Sequence, residues 1–358
     1  MSRLKNKKPN IPKALLENYV WLIAGIPKAG KTTLFAKLIE QYYGDVNAGL
    51  LLAFEKGYQA LRVTAEDVNE WDDFEEIVDE LIEEKDNLPY KFIGLDTADY
   101  IWEYSQTKTI QEWNSKNPAK RTSDIAGVGA KGKSDQGFGV GFNTAKQKIR
   151  TQVDRLIKAG YGVMILTHSK DKEVEQKDGL KYDQLAISLS SSARDVFVNM
   201  ADFIVFITIE KEKDEDDNIQ TKRYMYFRTD GYVEAGSRFK NVPERIEYDV
   251  TEFINVFENA VKSEFGDEVD MKEIKKEQKV ESDKQSKAYV EKEKAKMKPK
   301  ELINSISELI QPLEKDDPKK KEIAAVFKEI AGVANYTKVT DTSLLEEMLE
   351  KTKEIVQV

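Results

Sequence analysis

The chain of 358 residues is 40% hydrophobic and 34% charged, which suits one large α/β domain plus a smaller appendage, with solvated segments beside the core. Its net charge of −9 argues against a surface coated in bases for duplex DNA, and the absence of cysteine excludes disulfides and thiolate metal sites. The basic start MSRLKNKKPNIPK lacks the apolar segment of a signal peptide, and no apolar run approaches the roughly 18 residues of a membrane span, so a soluble, cytoplasmic protein with no membrane partner is expected.

In chain order, a basic arm (1–16) precedes a short apolar run at 19–24 (YVWLIA), which predicts a buried strand ending in glycine. Residues 33–43 then predict a helix, with Leu34, Phe35, Leu38, Ile39 and Tyr42 on one face. A second strand is expected at 49–54 (GLLLAF), an acidic amphipathic helix at 72–84, a third strand at 91–96 (KFIGLD) and an aromatic helix near 100–113. A polar, glycine-rich stretch covers about 115–141, followed by a helix at 142–159 and a fourth strand at 161–167 (YGVMILT). A polar segment runs to about 189, a fifth strand spans 201–209, and the alternating run 223–229 predicts an antiparallel addition. Strands separated by helices imply an α/β fold with a mostly parallel, doubly wound sheet over 17–262. Residues 263–298 are rich in Lys, Glu and Gln and predict a charged linker or exposed helix; 299–358 predict a small helical domain, with Pro318 as an interruption and Ser343 to Glu346 as a capping box.

Residues 25–32, Gly25, Ile26, Pro27, Lys28, Ala29, Gly30, Lys31 and Thr32, fit G-x-x-x-x-G-K-[ST], placed after a buried strand and before a helix. That setting turns backbone N–H groups and a helix N-terminus toward phosphate, so ATP is the expected ligand, with Thr33 completing the loop. Lys31 would reach the β- and γ-phosphates, and Thr32 would ligate Mg²⁺. Asp96, which ends the third strand, is the expected acid on the metal side, with Asp99 as a weaker alternate; a helix cap is the competing role for Asp96. Glu55, at the end of the second strand, is the candidate base for the attacking water, against the plainer reading of a surface glutamate. His168 ends the fourth strand, where an imidazole could sense the γ-phosphate or that water.

A phosphate loop, Glu after the second strand, Asp after the third and a polar sensor after the fourth resemble the RecA-like P-loop ATPase core. More narrowly, LLLAFEKGYQAL, FIGLDTAD, VMILTHSKDKE and SRFKNVPERI resemble phage-encoded RecA-like recombinases of the single-strand annealing (Sak-type) group, over about residues 18–248. The resemblance implies a strand order 5-1-4-3-2 with antiparallel additions. It also implies two mobile loops that hold single-stranded DNA, here 115–141 and 169–189. Lys116, Lys120, Arg121, Lys131 and Lys133 of the first are the candidate phosphate contacts. Arg238 and Lys240 resemble the basic pair by which such ATPases complete a neighbour's site, which implies a homo-oligomer, a ring or a filament.

The expected function is therefore an ATPase, stimulated by single-stranded DNA, that assists phage recombination or strand annealing. A replicative-helicase-type motor is one alternative. A nucleotide-dependent loader or switch, which binds a single-strand-binding or replication protein through its C-terminal helices, is the other.

Overall fold

The computed structural model describes residues 11–131, 137–177, 179–214, 217–265, 270–314 and 316–357. The chain divides into two compact units, Met1–Ser286 and Lys287–Val358.

The larger unit is an α/β layer structure. Its strands are β1 (Val20–Gly25), β2 (Gly49–Ala53), β3 (Ala65–Asp67), β4 (Phe92–Asp96), β5 (Gly162–Glu175), β6 (Lys181–Ile187), β7 (Phe203–Lys213), β8 (Ile219–Tyr226), β9 (Gly236–Ser237) and β10 (Arg245–Glu247). Its helices are α1 (Lys31–Tyr43), α2 (Trp71–Glu83), α3 (Ala98–Lys116), α4 (Val140–Lys158), α5 (Ser191–Met200), α6 (Val250–Phe265) and the start of α7 (Met271–Ile310). The sheet runs β10-β8-β7-β1-β5-β4-β2-β3. The five strands expected from sequence, β1, β2, β4, β5 and β7, stand in the order 5-1-4-3-2 and are parallel to one another. β8, β9 and β10 are the antiparallel additions.

The core explains this layering. β1, β2 and β4 are buried along their whole length, as strands covered on both faces must be. Trp21, Ile23, Leu51, Phe92, Met164, Leu166, Phe203 and Val205 turn one face toward α1 and α6. Trp21 stacks on Phe203 with ring centroids 4.1 Å apart, and Phe253 and Phe257 of α6 close over the pair. Alternate residues face the other side, where α3 and α4 pack on β5. Gly94 allows the close approach of α1, since a Cβ there would lie 2.8 Å from the Phe35 ring.

Several elements differ from the sequence expectation. The polar segment 169–189 is not a loop, because β5 runs on past His168 and pairs antiparallel with β6 from Ser169↔Ile187 to Glu175↔Lys181. Its charged residues alternate on an exposed two-stranded ribbon, which satisfies backbone hydrogen bonding without an apolar run. The short strands β3, β9 and β10 and the helix α5 have too few apolar residues to announce themselves. In 263–298, read as a charged linker or an exposed helix, α6 ends at Phe265 and α7 begins at Met271, and the division between the two units falls within α7.

In the smaller unit, Ile306 of α7, Ile323 and Phe327 of α8 (Pro318–Ala331) and Leu345 and Met348 of α9 (Thr342–Gln357) form a separate core. Pro318 stands at the break between two helices, α7 and α8, by opening the second. It occupies the first turn of α8, where its missing N–H costs nothing, behind an Asp317 cap. The expected capping box at Ser343 is replaced by Asp341, whose carboxylate accepts from the N–H of Ser343 at 2.9 Å. Among the described residues, no helix is long and apolar enough to cross a membrane.

Candidate active site

The parallel register brings the expected residues to one edge. Gly25, the last residue of β1, lies beside His168 of β5, and Asp96, the last residue of β4, lies beside Ala53 of β2. The chain leaves β1, β2 and β4 there, while β5 runs on, so loops and helix starts converge on a cleft of about 500 Å³. Pro27, Lys28, Gly30, Lys31, Thr32 and Thr33 line it from the phosphate loop; Glu55 lines it from just past β2, Asp96 from the end of β4, and His168 from within β5, which does not end there as expected but runs on to Glu175.

The loop is shaped as an anion cradle. Gly30 has φ 109°, and Lys28, with φ 65°, is held in the left-handed region that favours glycine. Gly30 also occupies the N-cap of α1, and no side chain caps that helix, so its first-turn amides face the loop without a protein acceptor from the cap. Gly25 at the end of β1 and Ala29, whose N–H donates to the Ile26 carbonyl at 3.2 Å, set the turn. From outside, the Tyr248 hydroxyl donates to the Gly30 carbonyl at 2.9 Å. Sequence reading missed Tyr248, because 218 positions separate it from Gly30 and nothing local marks it.

Lys31 is buried. Its ammonium donates to the carbonyls of Gly25 at 2.9 Å and Ile26 at 3.1 Å. Burial holds it below the ordinary lysine value, against the opposing pull of Asp96, Glu55 and Asp99. Asp96 is buried as well, which raises its carboxyl above the usual range, while the Thr32 bond and the Lys31 charge pull it down. The Thr32 hydroxyl donates to Asp96 Oδ2 at 2.7 Å. Asp96 therefore does not serve as the cap of α3, since Thr97 holds the N-cap position. Thr97 lines the same cleft, and its hydroxyl is buried with no hydrogen-bond partner.

Glu55 is exposed at the rim. Its amide donates to the Asp96 carbonyl at 3.0 Å, and its carboxylate has no hydrogen-bond or ion-pair partner among the described residues. Lys31 and Asp96 are thus packed, while Glu55 is free to meet solvent. His168 is partly buried, with Nδ1 3.4 Å from Asp99 Oδ2. Asp99, the alternate for the metal, is instead engaged with β5.

The donor set fits a nucleotide with Mg²⁺. Thr32 and Asp96 offer only oxygen, as a hard cation requires, and the uncapped α1 N-terminus and the orphaned Thr97 hydroxyl await polar groups. Among the described residues, no group of three or more His, Cys, Asp or Glu side chains could hold a metal.

The remaining expected residues lie elsewhere. Arg238 follows β9, which pairs with the start of β7, at the opposite end of the sheet. It pairs with Asp202 at 3.3 Å, and Lys240 beside it is exposed. Neither lines this chain's own cleft. Lys116, Lys120 and Arg121 form an exposed group at the end of α3 and the short 3-10 helix beyond it, where the Trp113 indole donates to the Lys120 carbonyl at 3.0 Å. Lys131 is exposed too, and Lys133 lies outside the described residues.

No curated protein matches the sequence. A family model does: residues 17–239, more than half of the chain, match the model of an AAA domain. That span runs from the turn before β1 past β9 and includes the phosphate loop, Glu55, Asp96 and His168. The chain belongs to the AAA domain family and carries its nucleotide-binding P-loop NTPase fold.

Proposed function

We propose that this protein hydrolyses ATP in the cleft and uses the cycle to change its hold on single-stranded DNA, in phage recombination or strand annealing. The observation that carries the hydrolytic part is the convergence on one cleft of Lys31 at the start of α1, Glu55 just past β2, Asp96 at the end of β4 and His168 within β5. The loop amides and the α1 N-terminus bind the phosphates, and Lys31 leaves the Gly25 and Ile26 carbonyls to reach them. Thr32 and Asp96 would hold Mg²⁺, which when bound neutralises charge on the β- and γ-phosphates. Glu55, with its free carboxylate, takes a proton from the attacking water.

The DNA part rests on the continuity of β5, which runs from His168 in the cleft into the exposed β5–β6 ribbon. It also rests on Lys116, Lys120, Arg121 and Lys131, none of which pairs with an acid among the described residues. Arg238 and Lys240 lie away from their own cleft, so any action on phosphate belongs to a second copy in a homo-oligomer.

ATP turnover, measured with and without single-stranded DNA for wild type and Lys31→Ala, tests the reading. The expected result is turnover in the wild type, stimulation by the strand, and loss of turnover in the variant. Turnover without stimulation or DNA binding would remove the DNA role and favour a switch that acts on a protein partner. Turnover coupled to strand separation would favour a helicase-type motor. Mixing Arg238→Ala chains with Lys31→Ala chains tests the second-copy role, since mixed assemblies should regain part of the activity that each variant lacks.

A further inference from the structure

Asp99 is a charged group beside the cleft for which the hydrolytic step has no use. It lies in the first turn of α3 and does not line the cleft. Its Oδ2 accepts from the Thr167 hydroxyl at 3.0 Å and from the His168 amide at 3.4 Å, and it lies 3.4 Å from His168 Nδ1. Its Oδ1 accepts from the Ser188 hydroxyl at 3.0 Å. Ser188 is the residue after β6, and its amide donates to the His168 carbonyl at 2.9 Å. One carboxylate thus joins α3, the middle of β5 and the end of the β5–β6 ribbon.

The chemistry of that carboxylate fixes the imidazole. Burial pushes Asp99 upward, but His168 and the Ser188 and Thr167 hydroxyls outweigh it, and the carboxyl sits below its usual range. An ionised carboxylate only accepts, so the ring nitrogen that faces it must carry hydrogen. In a neutral imidazole the other nitrogen is then an acceptor. Among the described residues, no protein group pairs with His168 Nε2, and His168 lines the cleft.

We propose that Asp99 is the positioning residue for His168: it holds Nδ1 as a donor, leaves Nε2 as an acceptor for a hydrogen of the attacking water, and ties the ring to the β5–β6 ribbon through Ser188. The proposal rests on the hydrolysis reading. An acceptor at Nε2 suits water, which has hydrogens to offer, and would be repelled by a phosphate oxygen. Ser188 binds both Asp99 and the His168 carbonyl, so a shift of the ribbon reaches the ring, and the water it holds, through this carboxylate. Ribbon and cleft are mechanically linked.

His168 is the sole histidine of the chain, so imidazole-¹⁵N labelling gives a single pair of ring signals to read. In the whole wild-type protein, with the imidazole neutral, the Nδ1–H tautomer is expected. Asp99→Asn should shift the ring toward the Nε2–H tautomer and lower kcat about 10-fold or more, with KM for ATP within about 2-fold. In a His168→Ala background the same substitution should cost less than about 2-fold more, since the two residues act as one unit. Ser188→Ala should keep the tautomer and lower only the stimulation by DNA. An Nε2–H tautomer in the wild type would overturn the proposal even if no variant folds, as would an Asp99→Asn effect that persists in full without His168. Absence of turnover in the wild type would instead sink the hydrolysis reading, a result the tautomer measurement does not depend on.

Discussion

Two aspartates stand at opposite ends of the same strands, Asp96 buried where β4 runs out and Asp202 partly buried just before β7 begins. Burial holds both carboxyls above their usual range. Asp202 is answered by the chain's own framework: it accepts from the Val20 amide at 2.9 Å and pairs with Arg238. Asp96 is answered by groups that have other work available, the Thr32 hydroxyl and a Lys31 whose charge is itself disfavoured by burial. Similar desolvation therefore has different consequences. At the start of the strands it accompanies a clamp on the first amide of β1, and at their ends it leaves a polar cluster that a ligand can complete.

The sharpest way to break this contrast is Asp96→Asn. On the proposed function, in which Asp96 is the carboxylate on the metal side, turnover should fall about 100-fold or more. Its stability should not fall. A carboxyl whose folded pKa is raised favours the folded state below its unfolded pKa, and that contribution disappears as pH rises through the folded value. At neutral pH the asparagine removes that burden, so the thermal midpoint should match or exceed the wild type. A lower midpoint would show that Asp96 is structural.

Asp202→Ala should do the reverse. The Val20 amide loses its acceptor, which costs about 1–3 kcal/mol in denaturant unfolding, while turnover per folded molecule stays within about 2-fold. Loss of turnover without loss of stability would erase the distinction between the two ends.

Tyr248→Phe should have a smaller effect. Removing the donor to the Gly30 carbonyl should cost about 0.5–1.5 kcal/mol and weaken nucleotide binding modestly, as read by titration with a fluorescent ATP analogue. Lys116→Glu with Lys120→Glu should leave folding and DNA-free turnover unchanged. Together they should lower the salt slope of single-strand binding by about one unit for each phosphate no longer neutralised. An unchanged slope would take the end of α3 out of the DNA path.

The phosphate loop and the five parallel strands were legible because each is local: a run of apolar residues long enough to be covered on both faces, then a glycine or an acid where the run stops. The β5–β6 ribbon was not, because its residues 169–187 alternate charge and carry no apolar run, and its backbone pairs only once the strands meet. Asp99 was visible as an acid near the third strand, yet its partners are 68 to 89 positions away, so the sequence could not tell a metal ligand from a residue that holds a histidine.

By itself the sequence determined that a strand, a glycine-rich turn and a helix would grip phosphate at residues 25–32, because the conformational freedom of glycine and the helix N-terminus act within a few residues. Only the tertiary structure decided which acids share the cleft with that loop, that Lys31 rests on the Gly25 and Ile26 carbonyls, and that Asp99 turns to His168. Those outcomes depend on strand register and burial, which arise when distant segments pack and the dielectric around each charge is set.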